Sequence, residues 1–222
     1  MSRGLTASGP AAAGPGEPPE PLHDVPAKWP VTGSAEHARG VFIRMRTDQV
    51  EMPGGRVAAR DVVEHPGAVA VAALDGDGRV LLIRQYRHPV SRLLWEIPAG
   101  LRDKPGESLR ATAERELLEE TGYRARDWHV LADICTSPGI LSERVRVFLA
   151  RGVAAVPAAE RDFVPEDEEA QLLLRWVPLA EAVAAFIEGD LHNSITGVGI
   201  LSAYAAQQSG FTGLRDASAP EQ

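Results

Sequence analysis

The chain has 222 residues, 44% of them hydrophobic, and a formal net charge of −8. At about 150 residues per domain that length fits one or two domains. The acidic balance excludes the basic footprint of a nucleic-acid binder and disfavours an anionic membrane surface. No apolar stretch approaches the roughly 20 residues of a transmembrane helix, and Met1–Leu5 opens no apolar leader. The single cysteine, Cys135, excludes an internal disulfide framework and a cysteine-built zinc site. The expectation is a cytoplasmic protein with no nucleic-acid and no membrane partner, in which Cys135 is a small buried side chain.

Residues 1–33 are rich in Pro, Gly and Ala without a hydrophobic period, so they read as a disordered tail. The folded body opens near residue 36. Val41–Thr47 and Val57–His65 are β-branched and half alternating around a turn at Met52-Pro53-Gly54-Gly55, so residues 36–62 form an N-terminal strand region. Ala68–Leu74 and Val80–Tyr86 flank Asp75-Gly76-Asp77-Gly78 as a second pair. Leu94–Ile97 is a short strand running into Pro98-Ala99-Gly100. Ser108–Glu120 reads as a helix closed by Gly122, a position that tolerates left-handed φ. Strands follow at His129–Cys135 and Val145–Arg151. Residues 152–169 form a long polar connection, a length typical of functional loops. A last strand, Leu172–Val177, precedes helices at Leu179–Glu188 and Ile195–Gln208. The main body spans 63–208, and 209–222 reads as a flexible tail. The fold class is a strand-rich α/β mixture with one central helix.

On a helical wheel of Ser108–Glu120, Leu109, Ala113 and Leu117 line up as one apolar stripe. Glu120 falls inside that stripe, Glu116 at its edge and Glu119 just beyond Glu116. Three carboxylates on one face repel, and burying one unpaired is costly. Arg110 and Arg115 could answer them as solvated pairs of small worth. The alternative is a hard divalent cation, Mg²⁺ or Mn²⁺, which takes carboxylate and carbonyl oxygens and shares substrate phosphates.

Gly100, Glu107 and Arg115-Glu116-Leu117-Leu118-Glu119-Glu120-Thr121-Gly122-Tyr123 together resemble the Nudix hydrolase signature. One departure is visible: six residues separate Gly100 from Glu107 where the usual pattern has five, and Pro105-Gly106 is a turn pair able to absorb the extra one. The resemblance implies an α/β/α sandwich with a mixed sheet plus N-terminal antiparallel strands. It implies metal ligation by Glu116 and Glu120, by Glu119 directly or through water, and by the backbone carbonyl of Ala99. Arg115 and Glu107 would brace the loop against the helix. Gly100, Glu107 and Gly122 are the structural positions of the motif.

Further stretches are similar to the bacterial ADP-ribose pyrophosphatase subgroup over roughly residues 36–206, including Val63-Glu64-His65, Val80–Gly100 and Asn193-Ser194-Ile195. Ser137-Pro138-Gly139, a simple turn on its own residues, matches a substrate-side loop of that subgroup. Arg87, by itself a strand-end charge, matches a position that contacts substrate phosphate, a role suited to a planar guanidinium fork. The acidic run Glu166-Asp167-Glu168-Glu169 matches a loop that supplies the catalytic base, which falls on Glu169 with Glu168 as fallback; Gln171 stands where relatives often have an acid. The resemblance also implies a homodimer in which residues 36–62 cross to the partner. The implied reaction is cleavage of ADP-ribose to AMP and ribose 5-phosphate. The signature reads only the diphosphate, so another sugar nucleotide or a dinucleotide such as NADH is an alternative substrate. A non-catalytic ADP-ribose-sensing module is the alternative of a different class.

Overall fold

The computed structural model describes residues 22–161 and 172–221. β1 (Val31–Arg39), β2 (Arg44–Glu51) and β3 (Val57–Glu64) form an antiparallel sheet in that order. β1 corrects two expectations. Residues 31–33 belong to a strand rather than to the tail, with Gly33 opposite Gln49, and the strand expected at Val41–Thr47 instead starts at Arg44. The reason is that β1 is exposed along its whole length, so its sequence carries no apolar alternation. Residues 1–21, the rest of the expected tail, lie outside the described residues.

β4 (Ala68–Ala73) and β5 (Arg79–Arg87) follow. The turn between them is built by Asp75, whose Oδ1 accepts the Asp77 and Arg79 N–H groups at 3.0 and 2.9 Å, the usual device of aspartate in turns. Then come β6 (Arg92–Glu96), β7 (Ala99–Leu101), α1 (Leu109–Thr121), β8 (Tyr123–Arg124), β9 (Asp127–Cys135), β10 (Arg144–Arg151) and β11 (Ala154–Ala155). β12 (Leu173–Pro178), α2 (Leu179–Glu188), α3 (Ser194–Gln208) and β13 (Arg215–Asp216) complete the described chain.

The central sheet has the order β13-β9-β10-β4-β7 and is mixed: β4 and β10 run parallel, and the other neighbours antiparallel. β4 is buried throughout, which is why it reads as an unbroken apolar run rather than an alternating one. Its side chains divide by parity. Val69, Val71 and Ala73 pack with Ala113 and Leu117 of α1, while Ala68, Ala70 and Ala72 pack with Ala182 of α2 and Ile200 and Ala203 of α3. Helices therefore cover both faces, the α/β/α sandwich. A second antiparallel sheet, β12-β5-β6, lies beside it. Among the described residues no helix is long and apolar enough to cross a membrane.

Two further expectations are corrected. Cys135, expected to be buried, ends β9 exposed. The segment from residue 209, expected as a flexible tail, docks on the sheet: β13 pairs with β9 and Ala217 is buried against the α1 face. The anchor is Arg146, 3% exposed in the middle of β10. Its Nε and Nη2 reach Asp133 at 2.6 and 3.0 Å, and Nη1 and Nη2 donate to the carbonyls of Ala219 and Pro220 at 2.6 and 2.9 Å. Arg215 adds a bond to Asp133 at 2.8 Å. Burial pushes the Asp133 carboxyl up, but the hydrogen bonds and charges of Arg146 and Arg215 outweigh it and hold it below the usual range. Breaking one partner of a buried pair strands the other. Asp133→Asn is therefore expected to remove about 3 kcal/mol and to lower the thermal midpoint in calorimetry by roughly 6–12 °C; an unchanged midpoint would show the clamp to be idle.

Candidate active site

α1 begins where Ser108 Oγ accepts the Ala111 N–H at 3.2 Å and ends at Gly122, whose N–H reaches the Leu118 carbonyl at 2.8 Å. Both ends agree with the sequence reading. The loop ahead of the helix contains a tight turn over Lys104–Glu107, closed by Glu107 N–H to the Lys104 carbonyl at 3.2 Å, with Gly106 at φ +80°. Proline second and glycine third at positive φ make a type II turn. That turn accommodates the extra residue between Gly100 and Glu107 without disturbing the helix start.

The carboxylate inside the apolar stripe finds its reason in β7. Glu120 faces that strand and accepts the Ala99 N–H at 2.9 Å. Glu116 lies against Gly100 so closely that a Cβ there would stand 1.9 Å from the Glu116 carboxyl carbon. Glycine at 100 is thus set by close approach rather than by a turn. Arg115 supplies the positive charge that the acidic face demands. Its Nε and Nη2 hold Glu107 at 3.2 and 3.0 Å, its Nη1 takes Glu116 at 2.6 Å and Glu119 at 2.9 Å, and its Nη2 also reaches Asp103 at 3.3 Å. Burial works against the Arg115 charge, but hydrogen bonds to Glu107 and Glu119 outweigh it and hold the guanidinium protonated more firmly than usual. The same bonds hold the Glu107 carboxyl below its ordinary range. Glu116 is the opposite case: burial pushes its carboxyl up, further than Arg115 pulls it down.

Arg87 sits at the end of β5 and is gripped by Glu96 of β6, its Nε at 3.0 and 3.2 Å and its Nη2 at 2.6 Å from the two carboxylate oxygens. The sequence reading missed Glu96 and Asp103. For Glu96 a signal existed: it is a charge inside the apolar run Leu94-Trp95-Glu96-Ile97. Pro138 and Gly139 are exposed on the β9–β10 loop. That loop is tied by Thr136 Oγ1 to Glu143 at 2.5 Å and by Val63 N–H to the Ile140 carbonyl at 2.8 Å, so it leans on the N-terminal sheet. Glu168 and Glu169 lie outside the described residues.

Among the described residues no three His, Cys, Asp or Glu side chains converge into a preformed cation site. Glu116 and Glu119 turn to Arg115, and Glu120 to the Ala99 N–H. The donor chemistry nevertheless suits a hard divalent ion, being all oxygen, on one helical face, next to a backbone strand. The half-buried Glu116, its carboxyl raised by burial further than Arg115 lowers it, is the group that such an ion would stabilise most.

A model of the NUDIX domain matches residues 63–195, and the chain belongs to that family, whose hydrolases generally use divalent metals. The chain is 46% identical to an ADP-ribose pyrophosphatase of Mycobacterium tuberculosis over 166 residues, 75% of this chain and 78% of that one. It is 37% identical to an ADP-ribose pyrophosphatase of Bacillus subtilis over 161 residues, 72% of this chain and 84% of the other. The crystal structure of an ADP compounds hydrolase shares the fold, with a TM-score of 0.68 and 22% identity over 86% of this chain and all of that one.

Two substitutions test this geometry. Gly100→Ala displaces only the end of a flexible side chain, so stability should change by less than about 1 kcal/mol while hydrolysis falls about 100-fold from a misplaced Glu116. Parallel calorimetry and turnover assays separate the two effects. Glu116→Gln tests the burial. A carboxyl whose pKa is higher folded than unfolded weakens the fold as pH rises past about 4.3 and up to the folded value. In metal-free protein at pH 7 the Gln variant should therefore melt no lower than wild type, with its advantage vanishing below about pH 4, while hydrolysis drops at least about 100-fold.

Proposed function

We propose that this protein hydrolyses the diphosphate of ADP-ribose, yielding AMP and ribose 5-phosphate, as a homodimer. The carrying observation is the acidic face of α1, with one half-buried carboxylate pressed against Gly100, in a chain so similar to ADP-ribose pyrophosphatases. Glu116, Glu119 and Glu120, with the carbonyl of Ala99, would hold Mg²⁺, or Mn²⁺ in its place. When bound, the ion neutralises diphosphate charge and lowers the pKa of a coordinated water.

The chain's own residues divide the remaining work. Arg115 keeps the carboxylates of α1 from repelling one another and binds the loop, through Glu107, to the helix. Arg87 meets phosphate oxygen with a guanidinium edge. Glu169, or failing it Glu168, accepts the proton of the water that attacks phosphorus in line. Loop residues Pro138 and Gly139 border the substrate. The fully exposed β1, with exposed Val31 and Met45 on its sheet and exposed Val41 and Phe42 in the β1–β2 connection, supports pairing of the N-terminal sheet with a second copy.

Purified protein with Mg²⁺ and ADP-ribose, resolved by anion exchange beside sugar nucleotides and NADH, should release AMP from ADP-ribose fastest. Chelation should abolish turnover, and Glu169→Gln should reduce it about 100-fold or more. Faster cleavage of another panel member would retain the hydrolase and replace the substrate. Tight binding of ADP-ribose without turnover would point to a sensing module.

A further inference from the structure

We propose that Glu96 is a positioning residue for substrate binding, acting through Arg87; the inference rests on the reading of the protein as a diphosphate hydrolase. The pair is asymmetric. The Glu96 side chain is 3% exposed and that of Arg87 41% exposed. The carboxylate is therefore fixed by the core, flanked in sequence by Trp95 and Ile97, while the cation it holds reaches the surface.

The geometry of the grip matters more than its strength. Glu96 engages the Nε–Nη2 edge of the guanidinium with both oxygens. Two parallel contacts fix the plane of the fork as well as its position. A lysine or a singly bonded arginine would keep the charge but not the orientation.

Its place in the chain links this grip to the reacting region. Glu96 precedes Ala99 by three residues, so the two Cα atoms are at most about 11 Å apart. Ala99 donates to Glu120, and Gly100 abuts Glu116. One short segment, 96–100, thereby touches both the phosphate-facing cation and the acidic face of α1. A side chain buried in an apolar strand only to staple β5 to β6 would be served as well by an apolar residue, since buried ion pairs stabilise little over well-packed hydrophobes. The charge at 96 is explained by what it does to Arg87.

The test is steady-state hydrolysis of ADP-ribose with Mg²⁺ by wild type, Glu96→Gln, Arg87→Ala, Arg87→Lys and the Glu96→Gln/Arg87→Ala double variant, with thermal midpoints measured alongside. The expected result is a KM raised about tenfold in Glu96→Gln with kcat within about threefold. Arg87→Lys should behave alike, and Glu96→Gln should add nothing once Arg87 is alanine. An unaltered KM, or effects that multiply in the double variant, overturns the proposal, as does a fall in kcat and midpoint together without a KM change. Should Glu96→Gln fail to fold, Arg87→Lys decides: a wild-type KM overturns the proposal. Absence of ADP-ribose cleavage by wild type is a separate outcome, and it removes the functional reading itself.

Discussion

Everything at this site depends on one imbalance: α1 and its loop bring four carboxylates to a single guanidinium and set a fifth beside them. Asp103, Glu107, Glu116 and Glu119 all lie within hydrogen-bonding reach of Arg115, and Glu120 shares their helical face. That guanidinium and Lys104, whose Nζ lies 4.0 Å from Glu119, cannot neutralise that set. Arg115 spends its Nε–Nη2 edge on Glu107, which fastens the loop, and has one nitrogen, Nη1, for Glu116 and Glu119. The result is a split in acid strength: Glu107 is held ionised and Glu116 is pushed toward the neutral form by burial. A half-buried carboxylate left undercompensated is prepared for added positive charge. Environments that push the pKa values of neighbouring acids apart are a recurrent mark of working sites.

The sheet sets how close these groups come. β7 is hydrogen-bonded to β4, Ala99 opposite Ala70 and Gly100 opposite Val69, and α1 packs on Val69 and Val71 of the same strand. Loop and helix are thus referenced to one buried strand, not merely to each other. Glu120 meets the Ala99 N–H, and Gly100 leaves room for Glu116, because both distances are fixed by the packing of a rigid layer. Small shifts in that layer move the carboxylates directly, so precision at the site is inherited from the core.

The central helix, its caps and its acidic face were legible in the sequence because each has a local signal: Ser108, Gly122 and a wheel on which Glu120 intrudes into an apolar stripe. The buried strand β4 was legible as an apolar run. β1 was not, since it is exposed on both faces and carries no apolar alternation. The docked C-terminus was hidden for a different reason. Its binding sites are backbone carbonyls of Ala219 and Pro220, which carry no side-chain signature, and its anchor, Arg146, looks like an ordinary charge until Asp133 is placed opposite it. Glu96 stands out as a charge in an apolar run, but its pairing with Arg87 was hidden, because it is meaningful only once β5 and β6 are paired. Long-range ion pairs have no period, so only topology reveals them.

Three arginine forks, at 87, 115 and 146, do comparable work in different parts of the chain. Each binds a carboxylate through two nitrogens and joins segments distant in sequence or separate in structure: β5 to β6, loop to helix, β10 to β9 and the C-terminus. A lysine ammonium would supply the charge at each place without fixing a plane. The plane is what differs in consequence. At Arg146 it lets one side chain satisfy Asp133 and two carbonyls at once, so the C-terminal segment can bury Ala217 against the α1 face without orphaned acceptors. At Arg115 it divides the guanidinium between an edge that braces Glu107 and a nitrogen that holds Glu116 and Glu119. At Arg87 it aims a cation outward from a buried acid. The same geometry therefore secures the fold far from the acidic face and orders charge beside it, and arginine serves both because its fork resists rotation once two of its nitrogens are held.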